Sequence, residues 1–166
     1  PFQKRGILLY CSHIITTSPM SYPTSWNLAR YFYTGLDDPR LADDIADILP
    51  ETAKFRAKYE KSFPKFTTPE EILEFYTDYT DFSYRLGKPS YYLFYRSSLD
   101  TQDLDVTKKM GEIDYISTEA SNQLLFVAQG WKEIGYDRIM TWSRDPKLAK
   151  YRNDLVGTAE GIKHIL

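Results

Sequence analysis

Apolar residues recur along the chain at spacings of three and four, and four segments keep that spacing long enough to predict helices. The first runs Leu41, Ile45, Ile48, Thr52, Phe55, Tyr59, one face of a helix. Asp37-Asp38-Pro39 ahead of it supplies a cap and a first-turn proline. Pro50 lies inside the stripe and lacks a backbone donor, which predicts a kink or two shorter helices. The second segment opens on Thr67-Thr68-Pro69-Glu70-Glu71, where Thr68 at the cap and Glu71 three residues on make a capping box. Its face is Ile72, Phe75, Tyr79, Phe82, Leu86. Gly87-Lys88-Pro89 predicts a stop or a kink there, and Ser90 a restart with Tyr92, Tyr95 and Leu99 on one side.

The third stripe is the longest: Ile113, Ile116, Ala120, Leu124, Val127, Trp131, Ile134, about six uninterrupted turns, with Gly135 placed to end it. The fourth is Leu148, Tyr151, Leu155, Ala159, Ile162, Leu166, introduced by Asp145-Pro146. No Asn-Gly or Asp-Gly hairpin signal and no sustained two-residue alternation competes with these periods. The pattern predicts an all-α fold, an antiparallel up-and-down bundle or array of long helices joined by short loops. Residues 21–166 form the expected helical domain. Residues 1–20 read as a flexible tail or upstream extension, with Met20 opening a polar stretch that leads toward the first helix.

Composition narrows the function more than it identifies one. The 166 residues carry 21 Lys and Arg against 23 Asp and Glu, a net charge of −2, so the basic excess of a nucleic-acid-binding domain is missing. The apolar run Gly6-Ile7-Leu8-Leu9-Tyr10-Cys11 is far short of a membrane span and weak as a signal peptide, and a cytoplasmic location is expected. The one cysteine, Cys11, excludes an internal disulfide and a four-cysteine zinc site. The two histidines, His13 and His164, sit at opposite ends.

There is no His-Glu-x-x-His, no Gly-rich phosphate loop, no Gly-x-Ser-x-Gly and no Cys-x-x-Cys. Cys11 with His13 lacks an orienting third group, and Glu160 with His164 reads as a solvated helix pair. Asp37-Asp38, Asp43-Asp44 and Glu70-Glu71 read as acidic residues near helix starts, where the backbone dipole favours them. Asp78 and Asp81 read as a charged face opposite Phe75 and Phe82.

Aromatic residues are the unusual feature, 16% of the chain with 14 tyrosines. Tyr76, Tyr79, Phe82, Tyr84, Tyr91, Tyr92, Phe94 and Tyr95 fall within twenty residues. One reading is a tyrosine-lined core seam with hydroxyls at its edge. The other is a contact wall for a peptide or another domain, with Tyr84, Tyr91, Tyr92 and Tyr95 as its residues. Tyr91 and Tyr92 are adjacent and diverge by about 100° on a helix, so both cannot face one core.

The order of certain landmarks resembles a known family. Trp26-Asn27-Leu28 before the first long helix, Tyr91-Tyr92-Leu93-Phe94-Tyr95 between the second and third, Asn122-Gln123-Leu124-Leu125-Phe126-Val127 followed by Trp131, and Asp145-Pro146-Lys147-Leu148-Ala149-Lys150-Tyr151-Arg152 are similar to the leading helical region of oligoendopeptidase F-like proteins. These belong to the wider thimet-oligopeptidase-like group of zinc peptidases. The resemblance spans residues 21–166 and implies a non-catalytic segment that forms part of the wall of a peptide-binding channel. It carries over no catalytic or zinc-binding residue, because the family's zinc motif lies in a later part of the fold. It implies no cofactor in this chain, a catalytic domain or peptide as partner, and self-association if the contact face is left open. The alternative reading is a free-standing helical interaction module that binds a protein or peptide through its aromatic face.

Overall fold

The computed structural model describes residues 27–163. Within them lie seven α-helices: α1 (Pro39–Ala46), α2 (Ile48–Tyr59), α3 (Pro69–Leu99), α4 (Leu104–Gln123), α5 (Leu125–Ile134), α6 (Tyr136–Trp142) and α7 (Arg152–Ile162). Three short 3-10 turns, Leu28–Arg30, Phe63–Lys65 and Pro146–Tyr151, complete the regular structure, and no strand occurs among the described residues. The fold is all-helical, as the periodicity predicts. Trp26, Cys11, His13, His164, Leu166 and the tail through residue 20 lie outside the described residues.

The punctuation residues act as the chain predicts. Asp38 caps α1, accepting from the Arg40 backbone N–H, with Pro39 next to it. Thr68 and Glu71 close the capping box of α3, and the Asp145 side chain accepts from the Lys147 N–H. Gly135 ends α5 at φ 85°, a left-handed conformation that costs a glycine little. Pro50 sits in the first turn of α2, where a backbone donor would have no helical acceptor, so it is tolerated one turn after the α1–α2 break.

Elsewhere the helices depart from the pattern. No stop occurs at Gly87-Lys88-Pro89: α3 is assigned as one helix of 31 residues with a buried Pro89 inside it. The proline removes one i−4 bond, while Phe82, Tyr92 and Leu93 on either side are buried and hold the segment in place. The long third stripe is not one helix. It breaks at Leu124 (φ −93°, ψ 2°), and the inward face rotates across the break. Val106, Ile113 and Ala120 are buried in α4, whereas Phe126, Gly130, Trp131 and Ile134 are buried in α5. The last segment begins as a 3-10 turn before α7, and α6 carries Ile139 and Trp142 into the core.

Two apolar clusters result. The larger joins Phe55 and Tyr59 of α2, Phe63 and Phe66 of the following turn, Ile72, Phe75, Tyr76 and Phe82 of α3, and buried residues of α5, α6 and α7. Its rings interlock: Phe63 stacks on Phe75 at 4.1 Å and meets Trp131 edge-on at 4.8 Å. Gly130 makes this approach possible, because a Cβ there would lie 2.4 Å from Phe63 Cδ1. The smaller cluster gathers Tyr33, Leu41, Tyr92, Leu93 and Ile113. No buried side-chain polar atom among the described residues lacks a hydrogen-bond partner.

Candidate functional site

The four tyrosines expected to make contacts separate by their place around α3. Tyr84 and Tyr91 are 70% and 58% exposed, and Phe94 beside them is 58% exposed. Tyr95 is half-buried, its ring 5.7 Å from Phe32. Tyr92 points the other way and is sealed at 1% exposure, edge-on to Tyr33 at 5.1 Å with its hydroxyl accepting from Arg96 Nη1 at 3.4 Å. It therefore builds the smaller core and offers no contact surface, whereas Tyr91 is turned outward by the helical rotation between them. Tyr91 covers Gly87, whose Cβ would lie 3.0 Å from its ring.

Tyr84 borders a cleft of about 430 Å³ with Tyr31, Asp44, Glu51, Arg85 and Lys88. Its charges are largely spent internally. Asp44 accepts from the Tyr33 hydroxyl at 2.6 Å and from Lys88 Nζ at 3.1 Å, and Glu51 pairs with Lys54 and Arg85. Asp43 and Asp44 thus lie inside α1, not at a helix start, and Asp44 serves to satisfy a buried tyrosine. Burial, with Asp44 as acceptor, pushes the Tyr33 phenol well above its ordinary range.

Asp78 is likewise not on the face opposite Phe75. It edges the α2–α3 seam, accepting from the Tyr59 hydroxyl at 2.6 Å and from Lys58 Nζ at 2.7 Å. The Lys58 ammonium, then the Tyr59 hydroxyl, hold the Asp78 carboxyl below its usual range. Burial and the Asp78 bond push the Tyr59 phenol up to about 12. Asp81 pairs with Arg85 at 3.1 Å on the outer surface. Asp44, Glu51, Asp78 and Asp81 are each held by a lysine or arginine. Among the described residues no group of three or more His, Cys, Asp or Glu side chains is placed to hold a metal ion. No helix among them is long and apolar enough to cross a membrane.

A concavity larger than the Tyr84 cleft lies on another flank of α3, a feature the stripes do not reveal. It is a groove of about 870 Å³ between α3, the α4–α5 junction and α7. Phe75, Tyr79, Leu124, Val127 and Trp131 form its apolar floor, with Leu125 58% exposed at its edge. Thr80, Ser83, Ser121, Asn153 and Thr158 supply polar groups, and Asp154 is the one charged residue that lines it among the described residues. Tyr76 reaches it from the core, its phenol pushed up to about 12 by burial, against the Thr158 hydrogen bond that lowers it. The signal that could have found this groove is the adjacency of Leu124, Leu125 and Phe126: three consecutive apolar residues cannot all face one core. The chain matches no protein-family model, no curated protein and no solved structure.

Proposed function

We propose that the chain is the non-catalytic leading helical segment of an oligoendopeptidase F-like zinc peptidase and forms part of the wall of a peptide-binding channel. The observation that carries this reading is the ordered set of landmarks from Trp26 to Arg152, with Tyr91-Tyr92-Leu93-Phe94-Tyr95 and Asp145-Pro146-Lys147-Leu148 as its most distinctive members. The exposed Tyr84, Tyr91 and Phe94 support it, since a solvent-facing helix flank with three large rings suits a surface that another part of the protein covers. The antiparallel packing belongs to the same reading. It is supported by α3 and α4, which pack on each other across a connection of only residues 100–103. A cytoplasmic location goes with it.

In this reading the zinc and its ligands lie outside these residues, and the chain alone binds no zinc and cleaves no peptide. The coding sequence beyond Leu166 tests the assignment: an open frame with His-Glu-x-x-His is expected. Stoichiometric zinc on the purified chain, or peptidase activity from it, overturns the reading. The second reading, a free-standing interaction module, is favoured by the groove between α3 and α7. A stop codon soon after Leu166, with a stable monomeric chain, would select it.

A further inference from the structure

The groove between α3, the α4–α5 junction and α7 has walls made of helices and a floor made of side chains. Helical walls have spent their backbone hydrogen bonds internally. An extended peptide lying there would find no strand edge; Thr80, Ser83, Ser121, Asn153 and Thr158 offer scattered side-chain partners, not the regular ladder that a run of backbone N–H and C=O groups over Leu124, Val127 and Trp131 would need. A helix satisfies its backbone by itself and needs from the groove only a matching apolar face. Leu125 and Ala128 are exposed at the opening, while Tyr79, Leu124 and Val127 are half-buried, so apolar surface remains to be covered.

Charge then selects among helices. Asp154, in the first turn of α7, is the one charged side chain that lines the groove among the described residues, and it makes no ion pair with any of them. An anionic rim above an apolar floor favours a cation at that end and disfavours a carboxylate.

We infer that this groove is a docking site for an amphipathic helix whose apolar face, spaced i, i+3, i+4, i+7, fills the floor and which carries a Lys or Arg opposite Asp154. The groove lining includes neither Tyr84 nor Tyr91, and the inference does not depend on the peptidase reading. It holds equally for a segment or an independent module.

The test uses the full 166-residue chain and labelled 15-residue capped peptides built from Leu and Gln at helical spacing with one Lys, the same peptide with Glu for Lys, and the Lys peptide with a central proline. Fluorescence anisotropy is expected to show the Lys peptide binding about ten-fold tighter than the Glu peptide, the equivalent of one favourable charge contact. Asp154→Lys reverses that order, and Asp154→Asn brings the two peptides together. Ala128→Glu, at an exposed position of α5, abolishes binding while circular dichroism stays unchanged.

Equal affinity for the Lys and Glu peptides, no change with Asp154→Lys, or undiminished binding by Ala128→Glu would overturn the inference. Full retention of binding by the proline peptide would assign the groove to an extended ligand and overturn it as well. So would a concentration-dependent dimer that Ala128→Glu dissolves, because the occupant would then be a second copy of the chain.

Discussion

Replacing Gly130 by alanine should destabilise the fold even though alanine is the better helix former. In a solvent-facing helix the exchange gains roughly 0.8–1 kcal/mol. At Gly130 the added methyl would stand 2.4 Å from Phe63 Cδ1 and 2.8 Å from Cε1. Phe63 cannot step aside cheaply, because it is fully buried, stacked on Phe75 at 4.1 Å and held edge-on by Trp131 at 4.8 Å. Overpacking a well-filled core costs roughly 1–3 kcal/mol, and a ring fixed on both faces belongs in the upper part of that range. The net expectation is a loss of about 1–2 kcal/mol, or roughly 2–4 °C in Tm per kcal/mol at this chain length.

Gly111→Ala in α4 and Gly157→Ala in α7 are the controls, since a Cβ at either position meets nothing within 4 Å. Each should raise stability by up to about 1 kcal/mol. Urea and thermal unfolding followed by circular dichroism measure all three. Adding Phe63→Leu should make the Gly130→Ala loss smaller than in the parent, giving a coupling of about 1 kcal/mol. A Gly130→Ala protein at least as stable as its parent, with the two controls stabilised, would refute the claim that α5 closes on Phe63 through a missing side chain.

The carboxylates of Asp78 and Glu71 sit below their ordinary range, held by Lys58 and Tyr59 in one case and by the Thr67 and Thr68 N–H groups in the other. Their stabilisation is complete above about pH 4–5 and is lost as the pH falls through the lowered values, so the urea midpoint should drop on that acid limb, less steeply in Asp78→Asn. The phenols of Tyr59 and Tyr76 are raised to about 12. Their contribution is full below about pH 10 and lost as the pH climbs toward the raised values, which phenolate absorbance and the urea midpoint should report together. Asp38→Ala should speed hydrogen exchange at the Thr34 and Arg40 amides, both of which donate to that carboxylate; unchanged exchange would contradict its role as the clasp of the 34–40 loop. Tyr84→Ala with Tyr91→Ala should leave the isolated chain's stability within about 0.5 kcal/mol, and a larger loss would mean those rings pack internally.

What was legible in the chain was whatever depends on local chemistry. The caps at Asp38, Thr68 and Asp145 and the left-handed stop at Gly135 follow from one or two side chains acting on the backbone beside them. The inward faces of α2, α3 and α7 follow from period alone. What failed depends on tertiary demand. Of the stop or kink expected at Pro89, the stop is absent: α3 continues past it, with Phe82, Tyr92 and Leu93 buried around it. The break at Leu124 is invisible to a stripe that stays in register across it, since the turn rotates Phe126 and Gly130 inward only where Phe63 requires it. The sequence alone puts Asp78 on the outer flank because its partner, the Tyr59 hydroxyl, lies 19 residues away. The groove is invisible to the stripes for the same reason: α3, α5 and α7 meet around it, and no single period carries that information.

The aromatic surplus is clarified by asking what an outward position on α3 ordinarily holds. Tyr92 and Leu93 are drawn into the smaller core, which obliges their neighbours Tyr91 and Phe94 to face away. That geometry explains why a residue points outward, but not why the residue is aromatic. A solvated helix flank takes charged or small polar side chains, as α3 itself does at Asp81, Arg85 and Ser98. Tyr84, Tyr91 and Phe94 sit at spacings of seven and three, a helical seam of rings that stay more than half exposed although Phe94 meets Tyr95 edge-on at 5.8 Å and Tyr91 covers Gly87. In the reading proposed above, a surface that covers Tyr84, Tyr91 and Phe94 is what the size of those rings would serve.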